Sequence, residues 1–587
     1  MKRSLARMLL RTRTRAQEER GAALVMAIIM GVVLMMVIST AVAIGLSGVR
    51  SSKTNEDWNA ALAAAYAGVE EYRNRLANDS TYTKFGNPVS DFSSTSNVSV
   101  DSNNPAFGMG PSGSWATVPG SGGAATFRYE VDNSKYSAKG VLSLRSTGRV
   151  GDSTRTVVAD LRQSGFIDFL YFTDYEVRDP DLGGRSCTVR YQWQGSVSCD
   201  TIQFASGDTM NGPMHSNDTL RLCGTFNGEV TTGDPGTSGS NYIASCSNPR
   251  FNYGKPKSGQ TIGMPETNSE MKKEVRTDLG DDVPQPGCLY TGPTSIVLNG
   301  DGTMTVHSPF TKFTRVAGDG ATSGTKPSEC GTPGTDSNQL GSSGGAKINV
   351  LDENLVYVQN VPSVSSNKNY TRNGSWPDGF TCKSGGSGWT LGSLAYPMAD
   401  EKVPSLDPAH YGCRNGDAFV KGTLSGAMTI ASENYLYVTG DIKYKDAGSD
   451  ILGLVGNTAV FVWNPYTCTS WNTDWRGNRT TCRSYGFTMA KNRTISAAIL
   501  SVAHSFTVQN YDVGSSRGTL TVKGAIAQKF RGPVATTGNT GYDKDYNYDD
   551  RLRYTAPPKF LSPVSTTYGI SKVGSVGSAF NADGSTR

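Results

Sequence analysis

Residues 22–47 read AALVMAIIMGVVLMMVISTAVAIGLS, and this stretch decides the architecture of the chain. It contains no charged side chain. An apolar run longer than about 18 residues is a candidate membrane span, because about 20 helical residues at 1.5 Å each cross the hydrocarbon layer. Residues 48–79 turn polar but keep apolar positions at helical spacing. The sequence therefore predicts one long helix over 22–79, whose first half, 22–47, spans a membrane.

The second half of this helix is predicted to be amphipathic. Its many alanines favour helix, and the polar run 78–80 is typical of a helix end. Apolar residues recur three and four positions apart, which places them on one face: Trp58, Leu62, Tyr66, Val69, Tyr72 and Leu76.

A basic leader, residues 1–21, precedes the apolar run. It carries seven basic and two acidic residues, which equals the net charge of +5 of the whole chain. Positive flanks stay in the cytoplasm, so the residues after Ser47 are expected outside the cell membrane. The remaining chain is neutral. The net positive charge therefore indicates the membrane orientation of the helix rather than a nucleic-acid partner.

Three interpretations of this N-terminal segment remain open. Ala41-Val42-Ala43 is similar to the cleavage site of a secretory signal, although the apolar run is long for one. A plain transmembrane anchor is the second interpretation. In the third, the leader is cut between Gly21 and Ala22, and the apolar segment stays on the mature protein as a spine.

Residues 17–25, QEERGAALV, resemble the start of PilX-type minor pilins, which often show an R-G-A-A-L-V pattern. The resemblance covers about the first 75 residues. It implies cleavage by a prepilin peptidase at Gly21 and Ala22, and filament packing through Leu24, Val25 and Met26. The sequence departs from the major-pilin pattern, because Ala22 replaces Phe and Met26 replaces Glu. That Glu pairs with a neighbour's terminal amine in the family, so its loss implies a rare or tip subunit.

The rest of the chain is predicted to be mainly β. Residues 125–131, 140–146 and 155–161 alternate apolar and polar side chains, as half-buried antiparallel strands do. They form a small pilin-like module that we place at 80–165. Residues 166–563 contain many short strands separated by glycines, which favours a β-solenoid head, with a β-sandwich as the alternative. Residues 564–587 are expected to form a loose tail or cap. The fold class is α+β.

Two segments of the head strengthen this interpretation. Residues 207–232 and 518–536 contain the echoes Asn211-Gly212-Pro213-Met214, Asn227-Gly228-Glu229-Val230 and Arg531-Gly532-Pro533-Val534. These segments resemble exported proteins that join a PilX-type start to a β-solenoid, among them a minor pilin of the DNA-uptake machinery of thermophilic bacteria. Solenoids serve many functions, so this resemblance concerns architecture.

All ten cysteines lie outside the predicted helix. An even number in an exported domain favours disulfides, and their connectivity does not follow from sequence. Pairing of neighbours along the chain is the simplest arrangement. The cysteines are Cys187, Cys199, Cys223, Cys246, Cys288, Cys330, Cys382, Cys413, Cys468 and Cys482.

The best candidate metal site is the run at Asp543, Asp545, Asn547 and Asp549. Oxygen side chains at alternate positions resemble the start of a calcium loop. Tyr548 stands where the sharp-turn glycine belongs, and the twelfth-position Glu is missing. A solvated polar turn is therefore the preferred interpretation, and no cofactor is expected beyond this calcium hypothesis.

Catalytic motifs are absent from the sequence. His215, His307, His410 and His504 show no HExxH or HxH spacing, and the G-x-S-x-G, P-loop and Rossmann patterns do not occur. The chain is therefore not expected to be an enzyme. Three tryptophans around Cys468, which are Trp463, Trp471 and Trp475, offer either core packing or a sugar-binding platform.

The sequence thus favours a minor pilin or pilus-tip protein of a type IV filament system, acting in assembly or priming and in surface adhesion or DNA uptake. It would be a single-pass protein of the inner membrane, with its head at the cell surface. Its expected partners are other pilins, the assembly machinery, prepilin peptidase, and a surface glycan or DNA. The alternative is a membrane-anchored β-solenoid enzyme acting on polysaccharide, in which Arg551 and Arg553 would assist the acidic run.

Overall fold

The computed structural model describes residues 2–109, 114–136, 140–163, 165–183, 185–406, 409–563 and 568–587. The side chains of residues 2–23, 80–81 and 163 lie outside this description. Over the described residues, a long N-terminal helix is followed by a large, mainly β region, which confirms this part of the expected architecture.

The helix α1 runs from Lys2 to Asn78 and so includes the basic leader. Among the described residues, its Leu24–Asn78 part is the one helical stretch long and apolar enough to cross a bilayer, with a mean hydropathy of 2.7 in its most apolar window. A signal sequence near an N-terminus meets the same criterion. The other helices are short 3₁₀ turns: Ser80–Lys84, Asp91–Ser93, Pro105–Phe107, Phe166–Asp168, Gln192–Gln194, Ser269–Val275, Ser328–Cys330 and Asp550–Arg553.

The second half of α1 packs on a small antiparallel sheet. Three of its strands overlap the expected ones, and the strands in order are β1 (Ala116–Thr117), β2 (Ala125–Asp132), β3 (Val141–Val150) and β4 (Ser153–Gln163). The helix buries Ala61, Ala65, Val69, Tyr72 and Leu76 against this sheet.

The predicted apolar stripe of the helix is partly wrong. Trp58 and Tyr66 are 46 % and 39 % exposed. The reason is a close approach at Gly148, where an added Cβ would lie 2.1 Å from the carbonyl oxygen of Ala61. Small residues therefore form the contact, and the large rings lie at its edges.

The C-terminal strand Tyr568–Val576 completes this sheet, whereas the sequence predicted a loose tail or cap over 564–587. It pairs antiparallel with β4, and Tyr568 is buried in the same core as Tyr72. Tyr568 also accepts a hydrogen bond at its carbonyl oxygen from Nε of Arg73, at 2.7 Å. The head is therefore inserted between two neighbouring strands of the sheet. Residues 564–567 of the expected tail lie outside the described residues.

Over its described residues, the first part of the head contains nine short strands. They are β5 (Tyr171–Tyr175), β6 (Thr209–Asn211), β7 (Met214–Ser216), β8 (Leu220–Leu222), β9 (Thr225–Phe226), β10 (Val230–Thr232), β11 (Tyr242–Ala244), β12 (Arg250–Phe251) and β13 (Lys257–Ser258).

Longer strands follow, and the numbering ends with the C-terminal strand already described. They are β14 (Cys288–Thr291), β15 (Thr294–Asn299), β16 (Thr303–His307), β17 (Arg315–Ala317), β18 (Ser323–Thr325), β19 (Ala346–Asn349), β20 (Asn354–Gln359), β21 (Phe380–Cys382), β22 (Trp389–Leu391), β23 (Leu394–Tyr396), β24 (Ala418–Leu424), β25 (Ala427–Ser432), β26 (Tyr435–Tyr444), β27 (Ile451–Gly456), β28 (Ala459–Val462), β29 (Tyr466–Thr473), β30 (Arg479–Phe487), β31 (Arg493–Ser501), β32 (Phe506–Val508), β33 (Ser516–Phe530), β34 (Ala535–Thr536), β35 (Thr540–Tyr548) and β36 (Tyr568–Val576).

The main strands of the head stack in parallel ladders. The longest, ladder A, pairs neighbours in the order β14, β20, β25, β27, β31, β33, β5, β7, β10 and β13. Ladder B stacks β15, β24, β26, β28 and β32. Ladder C stacks β33, β35, β6, β9 and β12. At about 4.8 Å between strands, ladder A is about 43 Å long.

The chain enters ladder A in its middle. From β5 it proceeds to one end at β13, and residues 259–287 then cross to the other end, where β14 begins. The chain returns strand by strand until β33 pairs with β5. The crossing segment covers the outer side of ladder A, because Met271 and Val275 pack in one buried cluster with Leu355 and Tyr357.

An asparagine ladder supports one corner of the head. The side-chain amide of Asn252 donates to Asn227 at 2.5 Å, Asn227 donates to Asn211 at 2.7 Å, and Asn211 donates to Asn547 at 2.8 Å. These four residues lie at equivalent positions along successive strands of ladder C. The side-chain N–H of each asparagine donates to the side-chain oxygen of the next one, as stacked asparagines do in parallel arrays.

Candidate functional site

The exposed apolar half of α1 is the first candidate interaction surface. Every described side chain from 24 to 56 is exposed, including Leu24 at 64 %, Val25 at 55 % and Met26 at 71 %. Gly21 and Ala22 lie within α1, and their side chains are outside the described residues. An apolar surface of this size indicates a membrane or helix partner.

The junction between the small sheet and the head is held by polar contacts. The guanidinium of Arg162 donates to the carbonyl oxygen of Leu552 and to the carboxylate of Asp168. The hydroxyls of Tyr136 and Tyr568 lie 2.8 Å apart. A cavity of about 390 Å³ lies beside them, partly lined by Phe166 and Phe560. The contacts of Arg162 link the sheet to the head at the point of insertion, and the contact between Tyr136 and Tyr568 holds β36 to the rest of the small sheet.

Five disulfides stabilise the head, which confirms the expectation of disulfides. They join consecutive cysteines, and the α-carbons of each pair lie 5.1 to 5.8 Å apart. The pairs are Cys187–Cys199, Cys223–Cys246, Cys288–Cys330, Cys382–Cys413 and Cys468–Cys482.

The candidate calcium residues lie on a strand rather than in a turn. Asp543, Asp545 and Asn547 belong to β35, and their even spacing puts them on one side of it. Asn547 donates its amide to Asp545 at 3.0 Å and also belongs to the asparagine ladder. A strand cannot wrap these oxygens around an ion as a calcium loop does.

The last member of that run is paired with arginine. Asp549 caps the short helix Asp550–Arg553, and its carboxylate lies 2.6 Å from the guanidinium of Arg551. Arg553 lies 3.4 Å from Asp550. These charges neutralise one another locally, so the arrangement resembles a structural corner more than a substrate cleft.

Two histidines are held as buried structural groups. His215 stacks on Phe172 at 5.8 Å and lies within hydrogen-bond distance of Thr231 and Asn217. His410 lies 2.7 Å from the hydroxyl of Tyr437. Burial lowers the pKa of both imidazoles to about 4. They are therefore neutral at physiological pH.

Comparison with known proteins leaves the family open. No family model matches the chain, and no curated protein matches it. Among solved structures, the competence-associated pilin ComZ from Thermus thermophilus aligns over 89 % of this chain and 97 % of that chain, with 10 % identity and a TM-score of 0.24. A TM-score of this size does not establish a common fold.

One group that sequence inspection missed has metal-ligating chemistry. Asp179, Asp181 and His504 place ligand atoms within 4.8 Å of one another, and Nδ1 of His504 lies 2.8 Å from Asp179. The other oxygen of Asp179 accepts the backbone N–H groups of Asp181 and Leu182. Asp179 is thus engaged on both oxygens. His504 is 325 residues away from it in sequence, so no local motif could have indicated the group.

A hairpin formed by β29 and β30 carries two of the three tryptophans that the sequence analysis singled out. The sequence placed Trp463, Trp471 and Trp475 around Cys468. The structure buries Trp463 in the head, where its indole N–H donates to Tyr411 at 2.9 Å. Trp475, in contrast, is 86 % exposed. Trp463 and Trp475 therefore lie in different environments.

Proposed function

We propose that this chain is a minor pilin, or pilus-tip protein, of a type IV filament system. The division of α1 into two halves carries the proposal. Its first half is an uncovered apolar rod, and its second half packs on an antiparallel sheet. An uncovered apolar rod requires other apolar surface, which a bilayer provides before assembly and neighbouring helices provide in a filament.

The proposed assembly path starts in the inner membrane, with the basic leader inside and the head outside. Prepilin peptidase cuts between Gly21 and Ala22, and the assembly machinery moves the freed spine among other pilin helices. Leu24, Val25 and Met26 make the first contacts there, which their exposure supports. The PilX-like start of the sequence supports the same path.

The proposed position is the tip, or another rare position in the filament. The head spans roughly residues 166–563, and such a bulk conflicts with repetition at every step of a thin fibre. Met26 also lacks the carboxylate that would pair with a neighbour's amine. The chain would prime assembly and present the head for surface adhesion or DNA uptake, with a glycan or DNA as ligand.

We also infer that the head is a β-solenoid. The parallel pairing of ladders A, B and C supports this, because the sheets of a β-sandwich are antiparallel. The pilin-like module would then be discontinuous, with residues 22–163 and 568–576 forming one unit around the inserted head. Under this proposal the chain has no catalytic role, which agrees with the local pairing of Asp549 with Arg551.

The N-terminus of the mature protein tests the proposal. We expect mass spectrometry of protein from the native host to find Ala22 as the first residue. Gly21→Leu should leave the leader attached and keep the protein out of filaments. Gly31→Leu is the matched control for cleavage, because it makes the same change farther along the helix, where nothing lies within 4 Å of an added Cβ.

The same measurement can reject the proposal. A leader that remains on surface-exposed wild-type protein would show that α1 is a plain anchor. A mature terminus after Ala43 would show that the apolar run is a secretory signal.

A further inference from the structure

The hairpin arm, residues 466–487, is a two-stranded, disulfide-linked element of the head with an exposed turn. Its strands β29 and β30 pair with each other in a separate two-stranded sheet. The Cys468–Cys482 disulfide joins them. All the residues from Trp475 to Thr481 are exposed. A two-stranded hairpin alone is marginally stable in water, and here the disulfide and two backbone hydrogen bonds, Lys402 to Tyr466 and Cys468 to Asp400, stabilise it.

Cations lie over four aromatic rings of this arm, and one of these cations is the buried Arg517, which lies 4.3 Å from the ring centre of Phe487. The guanidinium of Arg476 lies 4.4 Å from the ring centre of Trp475, at the turn. That of Arg479 lies 5.5 Å from Trp471, farther along the strands. At the base, the ammonium of Lys402 lies 5.9 Å from Tyr485. Trp475 is 86 % exposed, so most of its indole is accessible to a ligand.

The arm is also positively charged and poorly neutralised. It contains Arg476, Arg479 and Arg483 against the single carboxylate of Asp474. Asp474 accepts the backbone N–H groups of Arg476 and Asn478, so it serves the turn. Within the described part of the chain, Arg476 and Arg483 have no ion-pair partner, and Arg479 lies 3.7 Å from Asp400.

We propose that the hairpin arm binds an acidic polysaccharide, a ligand class that rests on the adhesive role proposed above. Guanidinium groups pair with carboxylates in a two-pronged geometry. The faces of aromatic rings carry partial negative charge, and the C–H groups on one side of a sugar ring pack against them. A polymer of carboxylated sugars presents both features in every repeat.

The side chains between the cations favour a glycan over nucleic acid. They are short hydroxyl and amide groups, which match sugar hydroxyls: Thr469, Ser470, Asn472, Thr473, Thr480, Thr481 and Ser484. A nucleic acid carries a charge on every nucleotide, and its binding strength depends on the number of phosphates neutralised in a continuous basic groove. The arm is a single hairpin with three arginines, so it suits a less densely charged polymer.

Binding of polygalacturonate to the full-length protein in detergent tests the proposal. We expect saturable binding to this carboxylated glycan and none to neutral dextran. Trp475→Ala, and separately Arg476→Ala with Arg479→Ala, should each weaken the binding at least about tenfold. Tyr253→Ala is the matched control, since Tyr253 is another strongly exposed aromatic residue, at 67 %, outside the arm. The Cys468–Cys482 disulfide of each variant is verified by mass spectrometry.

Several outcomes would overturn the proposal. These are no binding to polygalacturonate, binding that the arm variants leave unchanged, and binding of a single-stranded oligonucleotide in preference to the glycan. Each leaves the pilin proposal intact if the wild-type protein is still cut at Ala22 and found in filaments. If the glycan binds through the arm as expected but the leader remains attached, only the pilin proposal is rejected.

Discussion

Asp417 lies fully buried directly before β24. Burial raises the pKa of its carboxyl group to about 8, which outweighs the hydrogen bond that it accepts from the backbone N–H of Tyr435 at 3.1 Å. The folded head therefore holds a proton that the unfolded chain releases near pH 4. This single residue couples the stability of the head to pH.

We expect Asp417→Asn to flatten the pH dependence of stability. Between pH 5 and 7 the folded protein binds one more proton than the unfolded protein at this site. The free energy of unfolding of the wild type should therefore fall with rising pH by about 1.4 kcal/mol per pH unit from this group. Asparagine keeps the acceptor oxygen but does not titrate. Urea unfolding at pH 5, 6 and 7 measures the difference, and equal slopes in both proteins would contradict the assignment.

At the scale of secondary-structure elements, the close approach of α1 to β3 requires a glycine at position 148. A Cβ at position 148 would lie 2.1 Å from the carbonyl oxygen of Ala61 and 2.3 Å from the backbone nitrogen of Ala65. Both atoms belong to the helix backbone, which cannot move aside as a flexible side chain does. The helix can therefore lie this close to the sheet only because residue 148 has no side chain.

We expect Gly148→Ala to destabilise this module by about 3 kcal/mol, the upper range for overpacking. Gly574→Ala in β36 is the matched control, because it lies in the same sheet with nothing within 4 Å of the added carbon. Hydrogen exchange of the β3 and β4 amides reports on the module separately from the head. We expect these amides to exchange faster than in the wild type in Gly148→Ala and at the wild-type rate in Gly574→Ala.

Elements with local signals could be predicted from the sequence, and elements with distant partners could not. Alternation at 125–131 and 155–161 predicted strands that the structure contains as β2 and β4. Consecutive cysteines pair because each disulfide closes one local excursion. The pairing of β33 with β5 joins residues more than 350 positions apart, and no sequence pattern specifies such a partner.

From the sequence, a polar turn was the preferred interpretation of the acidic run 543–549, whereas most of this run lies in strand β35. Oxygen side chains at every second position are typical of a calcium loop and equally of one face of a strand. Tyr542 and Tyr546, at the same period, are buried on the other side. Between them, Lys544 pairs with buried Asp208 at 2.7 Å. In the sequence, tyrosines stand at even positions and oxygen side chains at odd positions of this run. That alternation was the signal that favoured a strand.

At the scale of the whole molecule, the order of the strands explains how a large head can be inserted into a small sheet. Because ladder A is entered in its middle, its first strand, β5, pairs with a late one, β33. The chain therefore leaves the head close to where it entered. β4 and β36 can then remain neighbours in the sheet, with Gln163 opposite Tyr568. Two adjacent chain segments therefore connect the head to the small sheet.

This arrangement predicts that the head can be removed without unfolding the module. A variant in which a short glycine-containing turn replaces residues 165–566 should keep α1 and the five-stranded sheet folded, because antiparallel neighbours need only a two-residue turn. A second variant that ends after Gln163 loses β36, and with it Tyr568 from the core. We expect it to be less stable by about 3 to 5 kcal/mol, the usual cost of removing a buried aromatic side chain. Thermal unfolding in detergent, followed by far-ultraviolet circular dichroism, compares the two, and equal stability would show that β36 is dispensable to the module.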